Sequence, residues 1–280
     1  MQEVQASFWL LDAPTSLLVQ SEGQPDGTGL GTFDADGTPR VYRKPVPANR
    51  SQTFITSAHD VRSRTFLSHI RHATAGAATL ENTHPFEHQG RLFAHNGVIG
   101  DLPALRRRLG SYVDLVRGAT DSELFFALIN KCIDECSGDI GAGIAAAANE
   151  MAQNITLYSL NLVLTTATDL WALRYPDTNQ LYILERSTML AGADEARGRS
   201  LSGIMRVRSA ALSIFPATVI ASERMDPTAS WRLLESGELI HVDPELRVTS
   251  EIVVPRPPAS MLDLTTGEAV AQAEPEAAAG

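Results

Sequence analysis

The sequence predicts an α+β fold of stacked sheets packed with helices, and three observations predict it. Blocks of strand-like residues flank one helical block. They do not alternate with helices as a doubly wound parallel sheet requires. No G-x-G-x-x-G stands between a strand and a helix, because "DGTGLG" (26–31) lies among extended segments. With 280 residues, 44% of them hydrophobic, the chain can bury a sizeable core.

In chain order, "ASFWLLDA" (6–13) reads as a first strand. "GLGTFDADG" (29–37) and "TPRVYRK" (38–44) form two extended arms around Asp36-Gly37, a strong hairpin signal. "TFLSHIRHAT" (65–74) and "RLFAHNGVI" (91–99) follow as apolar strands. The helical block covers 101–109, 120–136 and 138–153. Asp101 and Gly110 punctuate the first helix, and Thr120 or Asp121 caps the second, whose Leu124, Leu128 and Ile129 form one apolar stripe. Strands return over 157–176, with a turn at Thr168-Asp169, and over 180–186, 217–225, 237–246 and 247–255. From Arg256 the chain is rich in Pro, Ala and Glu, so one domain over 1–255 and a disordered tail over 256–280 are expected.

A net charge of −10 disfavours nucleic acid as a partner. The one dense basic run, Arg106–Arg108, reads as a solvated helix face. Cys132 and Cys136, four apart on one helix face, have no spacing suited to a disulfide framework or a zinc ribbon. The N-terminus lacks the charged and apolar regions of a signal peptide, and no run approaches a membrane span, so a cytoplasmic protein is expected.

Five islands carry chemistry: "PDGTGLG" (25–31), "HIRHATAG" (69–76), "ENTHPF" (81–86), "AHNGV" (94–98) and "TDSE" (120–123). Taken singly, each has a plain structural reading. Arg71 is a salt-bridge arginine, His84 a core histidine, Asn96-Gly97 a hairpin turn, Asp121 a helix cap, and the glycines are bulges. Taken together they suit a small zwitterion. A guanidinium forks onto a carboxylate, an acidic side chain receives an ammonium group, and an amide beside a glycine N–H forms an oxyanion hole. His69, His72, His84, His88 and His95 raise a metal site as a further reading. They lack a helical pair beside a carboxylate, so no metal and no cofactor is expected.

The five islands, in this order, resemble the class II glutamine amidotransferases, N-terminal-nucleophile hydrolases, and are most similar to their stand-alone γ-glutamyl amidohydrolase-like members. The resemblance covers roughly residues 6–255. It implies a four-layer αββα sandwich. By position, it implies that Arg71 binds the α-carboxylate of glutamine or a γ-glutamyl group, that Asp121 holds the α-ammonium, and that Thr74 and His84 shape the pocket. Asn96 and Gly97 would form the oxyanion hole. Ammonia transfer to a second substrate would require a synthase on a partner chain, so simple hydrolysis is the more economical expectation.

One departure is central. The family's nucleophile is a cysteine directly after the initiator Met, whereas position 2 here is Gln2 and no cysteine precedes Cys132. The chain as written is expected to lack its attacking group and to be inactive. Either upstream residues are missing, or it is a pseudoenzyme that keeps a glutamine pocket for binding or scaffolding.

Overall fold

The computed structural model of the chain describes residues 3–71, 77–186, 216–226 and 230–264, and the backbone of 197–199 and 206–208. Along the chain come strands β1 (Gly27–Phe33), β2 (Pro39–Lys44), β3 (Phe66–Arg71), β4 (Phe86–His88) and β5 (Arg91–Asn96). After a helical block follow β6 (Asn161–Thr165), β7 (Leu170–Arg174), β8 (Tyr182–Arg186), β9 (Arg197–Arg199) and β10 (Arg206–Arg208). Then come β11 (Ala217–Ala221), β12 (Arg232–Leu233), β13 (Glu238–Val242) and β14 (Val248–Ile252). The helices are α1 (Leu17–Gln20), α2 (Gln52–Asp60), α3 (Leu102–Leu109), α4 (Asp121–Glu135) and α5 (Ile140–Asn154).

One antiparallel sheet has the order β14-β13-β7-β6-β5-β4. Its two faces bury different sets of side chains because strand residues alternate. Phe93, Leu162, Leu164 and Leu173 pack against Phe125, Leu128, Ile129 and Met151 of α4 and α5. Leu92, Ala94 and Val163 on the opposite face pack against Phe33 and Leu67 of the sheet β2-β1-β3. Further along that face, Ala172 and Ile240 meet Ile183 of the sheet β11-β8-β12. Two three-stranded sheets therefore lie side by side over one six-stranded sheet. Beyond β1 and β3, Leu30 and Ile70 cover themselves with Phe54 and Ala58 of α2 and with Leu10. The layers read helix, sheet, sheet, helix: the four-layer αββα sandwich.

The helical block forms where its caps stand. Asp101, Thr120 and Asp139 each accept a backbone N–H at the start of α3, α4 and α5, and Gly110 ends α3 at φ +58°. The hairpin between β1 and β2 turns at Gly37, whose φ is +85°.

Two expectations change. Residues 6–13 form a helical turn over Phe8–Asp12, closed by Ala13 N–H on the Phe8 carbonyl at 2.7 Å, and not a strand. A continuous apolar run carries no period, and this one has apolar partners on two sides: Phe8 joins Ala13 and Met225, while Leu10 joins Leu30. The start of the expected tail is docked. Ala259 N–H donates to the Ala152 carbonyl (2.8 Å), Leu262 N–H to Leu157 (3.0 Å), and the Tyr175 hydroxyl to the Arg256 carbonyl (2.9 Å). Its backbone supplies partners to the end of α5, a role that composition does not reveal. Residues 265–280 lie outside the described residues.

β1 is buried along its whole length, and its glycines explain how. A Cβ on Gly29 would stand 1.9 Å from the His84 carbonyl oxygen, and one on Gly31 would stand 2.6 Å from Leu92 Cδ1. The segment bearing His84-Pro85 lies directly on the bare backbone of β1. Gly29→Ala should cost upwards of about 3 kcal/mol or prevent folding, since a backbone atom would have to move. Gly90→Ala, with nothing within 4 Å but φ +75°, should cost about 1 kcal/mol. Urea unfolding midpoints compare them; equal losses would refute the close approach.

Candidate functional site

The candidate residues stand at element ends: β3 ends at Arg71, β5 ends at Asn96, and α4 begins at Asp121. Arg71 is only 4% exposed, and its Nη1 donates to the Ala77 carbonyl at 3.1 Å. Burial pulls its guanidinium below the ordinary value, opposed by the nearby carboxylates of Asp26 and Asp121.

Asp121 does not cap α4; Thr120 does, its hydroxyl accepting Glu123 N–H at 3.2 Å. Asp121 instead joins two elements. Its Oδ2 accepts Ile99 N–H at 2.9 Å, holding the chain that leaves β5, and its Oδ1 accepts Ser122 N–H at 2.8 Å. Ser122 Oγ also lies 3.3 Å from Oδ1, and Oδ2 keeps a second lone pair for another donor.

The run His95-Asn96-Gly97 sends its three members to three places. His95 faces the helices, where Nε2 lies 3.1 Å from the Ser159 carbonyl and Nδ1 lies 3.0 Å from Ser122 Oγ. A carbonyl only accepts, so Nε2 carries the proton and Nδ1 accepts the Ser122 hydroxyl. Asn96 faces the other sheet, with Nδ2 3.4 Å from Ser222 Oγ and Oδ1 3.5 Å from Asn179 Nδ2. Gly97 is no hairpin residue: β5 pairs with β6 far along the chain, and Gly97 is not among the positive-φ glycines. A Cβ there would stand 2.0 Å from the Ser159 carbonyl oxygen.

His84 packs rather than bonds. Its ring lies 4.2 Å from that of His69 and 4.5 Å from that of Phe86, and neither of its nitrogens has a hydrogen-bond partner. Burial, with His69, His95, Arg71 and Arg43 nearby, pushes its pKa well below the usual imidazole value. His69 is likewise pushed down, to about 4, first by burial. His95 is also lowered by burial, with Asp121 and the Ser159 carbonyl opposing. Among the described residues no group of three or more His, Cys, Asp or Glu side chains is arranged to hold a metal ion. Thr74 and His72 lie outside the described residues. Arg71 thus lies within electrostatic reach of Asp121 and His84, and Asp121 is tied through Ile99 to the chain that follows Asn96 and Gly97.

The sequence reading missed His95 as a joint between sheet and helix, and it missed Asn82 and Glu123. Buried Glu123 accepts Arg117 N–H at 2.9 Å and Gly118 N–H at 2.6 Å, fixing the loop before α4. The T-x-x-E spacing at 120–123 signals a capping box, but the carboxylate reaches three residues beyond the cap. Both cysteines are far away. Cys132 lies eleven positions after Asp121, about 16 Å along the axis, buried among the α4 and α5 side chains, with its thiol pushed up to about 11 by burial and by Glu150 and Glu135.

The family model for class-II glutamine amidotransferases matches residues 16–261. The chain belongs to that family. It is 29% identical over 198 residues to the γ-glutamyl-hercynylcysteine sulfoxide hydrolase of Mycolicibacterium smegmatis, covering 66% of this chain and 80% of that protein. It is 30% identical over 124 residues to a Saccharomyces cerevisiae protein named "Probable glutamine amidotransferase DUG3", spanning 41% of this chain and only about a third (35%) of that relative. A glutamine aminotransferase class-II domain protein from Silicibacter pomeroyi superposes with a TM-score of 0.55 at 22% identity, over 82% of this chain and 92% of that one, a likeness of fold. No described helix is long and apolar enough to cross a membrane.

The buried imidazoles predict a pH dependence. Their folded pKa values lie below the unfolded value of about 6.5, so the unfolded chain takes up protons that the folded chain refuses. Their contribution is fully present above about pH 6.5 and is lost as pH falls toward the folded pKa, about 4 for His69. Each such histidine should steepen the loss by up to about 1.4 kcal/mol per pH unit. His69→Phe, which keeps a ring against His84, should flatten the stability profile between pH 6.5 and 5; parallel profiles would show that His69 is not held neutral.

Proposed function

We propose that the site binds the α-amino acid head of glutamine or a γ-glutamyl compound, and that the complete protein hydrolyses the side-chain amide. One observation carries this reading: a buried cation, Arg71, lies within electrostatic reach of two carboxylates, Asp26 and Asp121, and Asp121 holds the chain that leaves Asn96-Gly97 through Ile99 N–H. Arg71 would take the α-carboxylate and Asp121 the α-ammonium, with Thr74 and His84 on the pocket wall. Asn96 Nδ2 and Gly97 N–H would hold the oxygen of the polarised carbonyl. The kinship with a γ-glutamyl-hercynylcysteine sulfoxide hydrolase supports the γ-glutamyl substrate class.

The attacking group in this reading is a thiol from a Met-Cys start, which the 280 residues do not contain. The thiolate adds to the amide carbon, and the amine leaves with a proton from the α-amino group. Water then cleaves the thioester to release the γ-carboxylate. The chain as written would bind without turnover in the cytoplasm. Transfer of the ammonia would call for a partner synthase. The placement of Cys132 and Cys136 at the end of α4 opposite Asp121 favours a second reading, a glutamine-binding scaffold.

Glutamate release from glutamine and from γ-glutamyl amines separates the two. The chain as given should be silent, and a chain with the Met-Cys strand added should release glutamate. Arg71→Ala in that background should lose at least about a hundredfold in kcat/KM, roughly 3 kcal/mol. A folded, restored chain that binds glutamine but never releases glutamate would establish the scaffold. The added strand also tests the sheet edges: β3 and β11 each end their sheets without a further strand among the described residues. The short chain should melt lower and self-associate in sedimentation; a monomer of equal midpoint would show that these edges are closed.

A further inference from the structure

We propose that Asn82 is a positioning residue that sets the distance between the two charged sides of the pocket, Arg71 and Asp121, and through it the selectivity for an α-amino acid head. This rests on the zwitterion reading of the site and deepens it. Asn82 is 4% exposed, in a loop between β3 and β4, and both ends of its amide are engaged. Oδ1 accepts Ala119 N–H at 2.8 Å, and Nδ2 donates to the Ala77 carbonyl at 3.0 Å. A backbone N–H on one end and a carbonyl on the other fix the orientation of the amide without ambiguity.

The two partners belong to the two sides of the pocket. The Ala77 carbonyl receives Asn82, Thr79 N–H (2.9 Å) and Arg71 Nη1 (3.1 Å), so Asn82 and the guanidinium are held on one oxygen. On the other side, three successive N–H groups, of Arg117, Gly118 and Ala119, turn inward onto Glu123 Oε1, Glu123 Oε2 and Asn82 Oδ1. Such a concavity of backbone donors usually collects an anion; here Glu123 and Asn82 occupy it. The loop is closed so tightly that a Cβ on Gly118 would stand 2.4 Å from Asn82 Oδ1 and 3.0 Å from Glu123 Oε2. Asp121 stands two residues after Ala119. A single side chain therefore spans from the partner of Arg71 to the loop that places Asp121, and a shift of either side changes which pair of charges fits between them.

The test uses the 280-residue chain with Asn82→Ala, Asn82→Asp and, as control, Asn154→Ala, whose amide bonds only within α5. Hydrogen exchange should speed up at 117–119 and around 77–80 together in Asn82→Ala, by about tenfold or more, with other segments unchanged. Asn82→Asp keeps the acceptor for Ala119 and loses the donor to Ala77, so only the second segment should change. By calorimetry, L-glutamate should bind Asn82→Ala about tenfold more weakly. Glutarate, which lacks only the ammonium group, should change less, so that the selectivity between the two shrinks. Unchanged exchange at 117–119 overturns the clasp. Faster exchange with L-glutamate affinity and selectivity intact overturns the positioning role. If the unmodified chain binds neither acid while the two segments still respond together, the clasp is upheld and the zwitterion reading is what fails.

Discussion

Two sheets usually face each other about 10 Å apart, a spacing set by the side chains between them. At β1 that spacing gives way. Gly27, Gly29 and Gly31 present bare backbone toward the other sheet, and the His84 carbonyl and the Pro85 ring settle into the room they leave. This contact brings the His84 loop down onto β1 and against β3, where His69 and Arg71 sit on the same face as Leu67. Arg71 stands at the end of an outer strand, and this loop, through the Ala77 carbonyl and Asn82, ties it to the segment before Asp121. The glycines act through the volume they do not fill, since none of the three needs a positive φ.

Close contact also excludes water, and the polar groups trapped there are answered in two ways. Imidazoles become neutral: His69, His84 and His95 all fall below their ordinary pKa because charging them in this layer costs more than their neighbours return. Groups that must stay charged are tied to backbone. Asp121 takes two N–H groups, Glu123 takes two, and Arg71 gives to a carbonyl. His95 belongs to both kinds. Neutral, it donates to Ser159 and accepts from Ser122, so it joins the start of α4 to the segment before β6 that lies against Gly97.

The legible part of this fold is the part with a period or a punctuation mark. The helices α3, α4 and α5 follow their caps and apolar stripes, and the hairpin at Gly37 follows its Asp-Gly. The Phe8–Asp12 turn was not legible, because four successive apolar residues fit a strand or a helix equally well. The docking of residues 259–262 was not legible because backbone partners leave no mark in composition. Of the candidate site, the residues with distinctive chemistry could be singled out. Asn82 and His95 could not be given their tasks. A lone Asn before Thr reads as a turn, and a lone His on an apolar strand reads as core; what assigns them work is the carbonyl or hydroxyl that folding places opposite.

Helix α4 divides the chemistry by its own polarity. Its N-terminal end, where unpaired N–H groups favour negative charge, is turned toward the site and carries Asp121 and Glu123. Its far half carries the cysteines, in the half of the helix where the dipole disfavours a thiolate. There Glu135 and Glu150 add to burial in holding the Cys132 thiol protonated. A nucleophile needs the opposite surroundings: a cation nearby, backbone donors for the oxyanion, and a path to the carbonyl carbon. In the proposed reading the Asn96 amide and Gly97 N–H at the end of β5 would be the oxyanion donors, while Arg71 at the end of β3 takes the α-carboxylate. In that reading an attacking thiolate belongs at the N-terminal end of α4, whereas Cys132 in its last turn is held protonated.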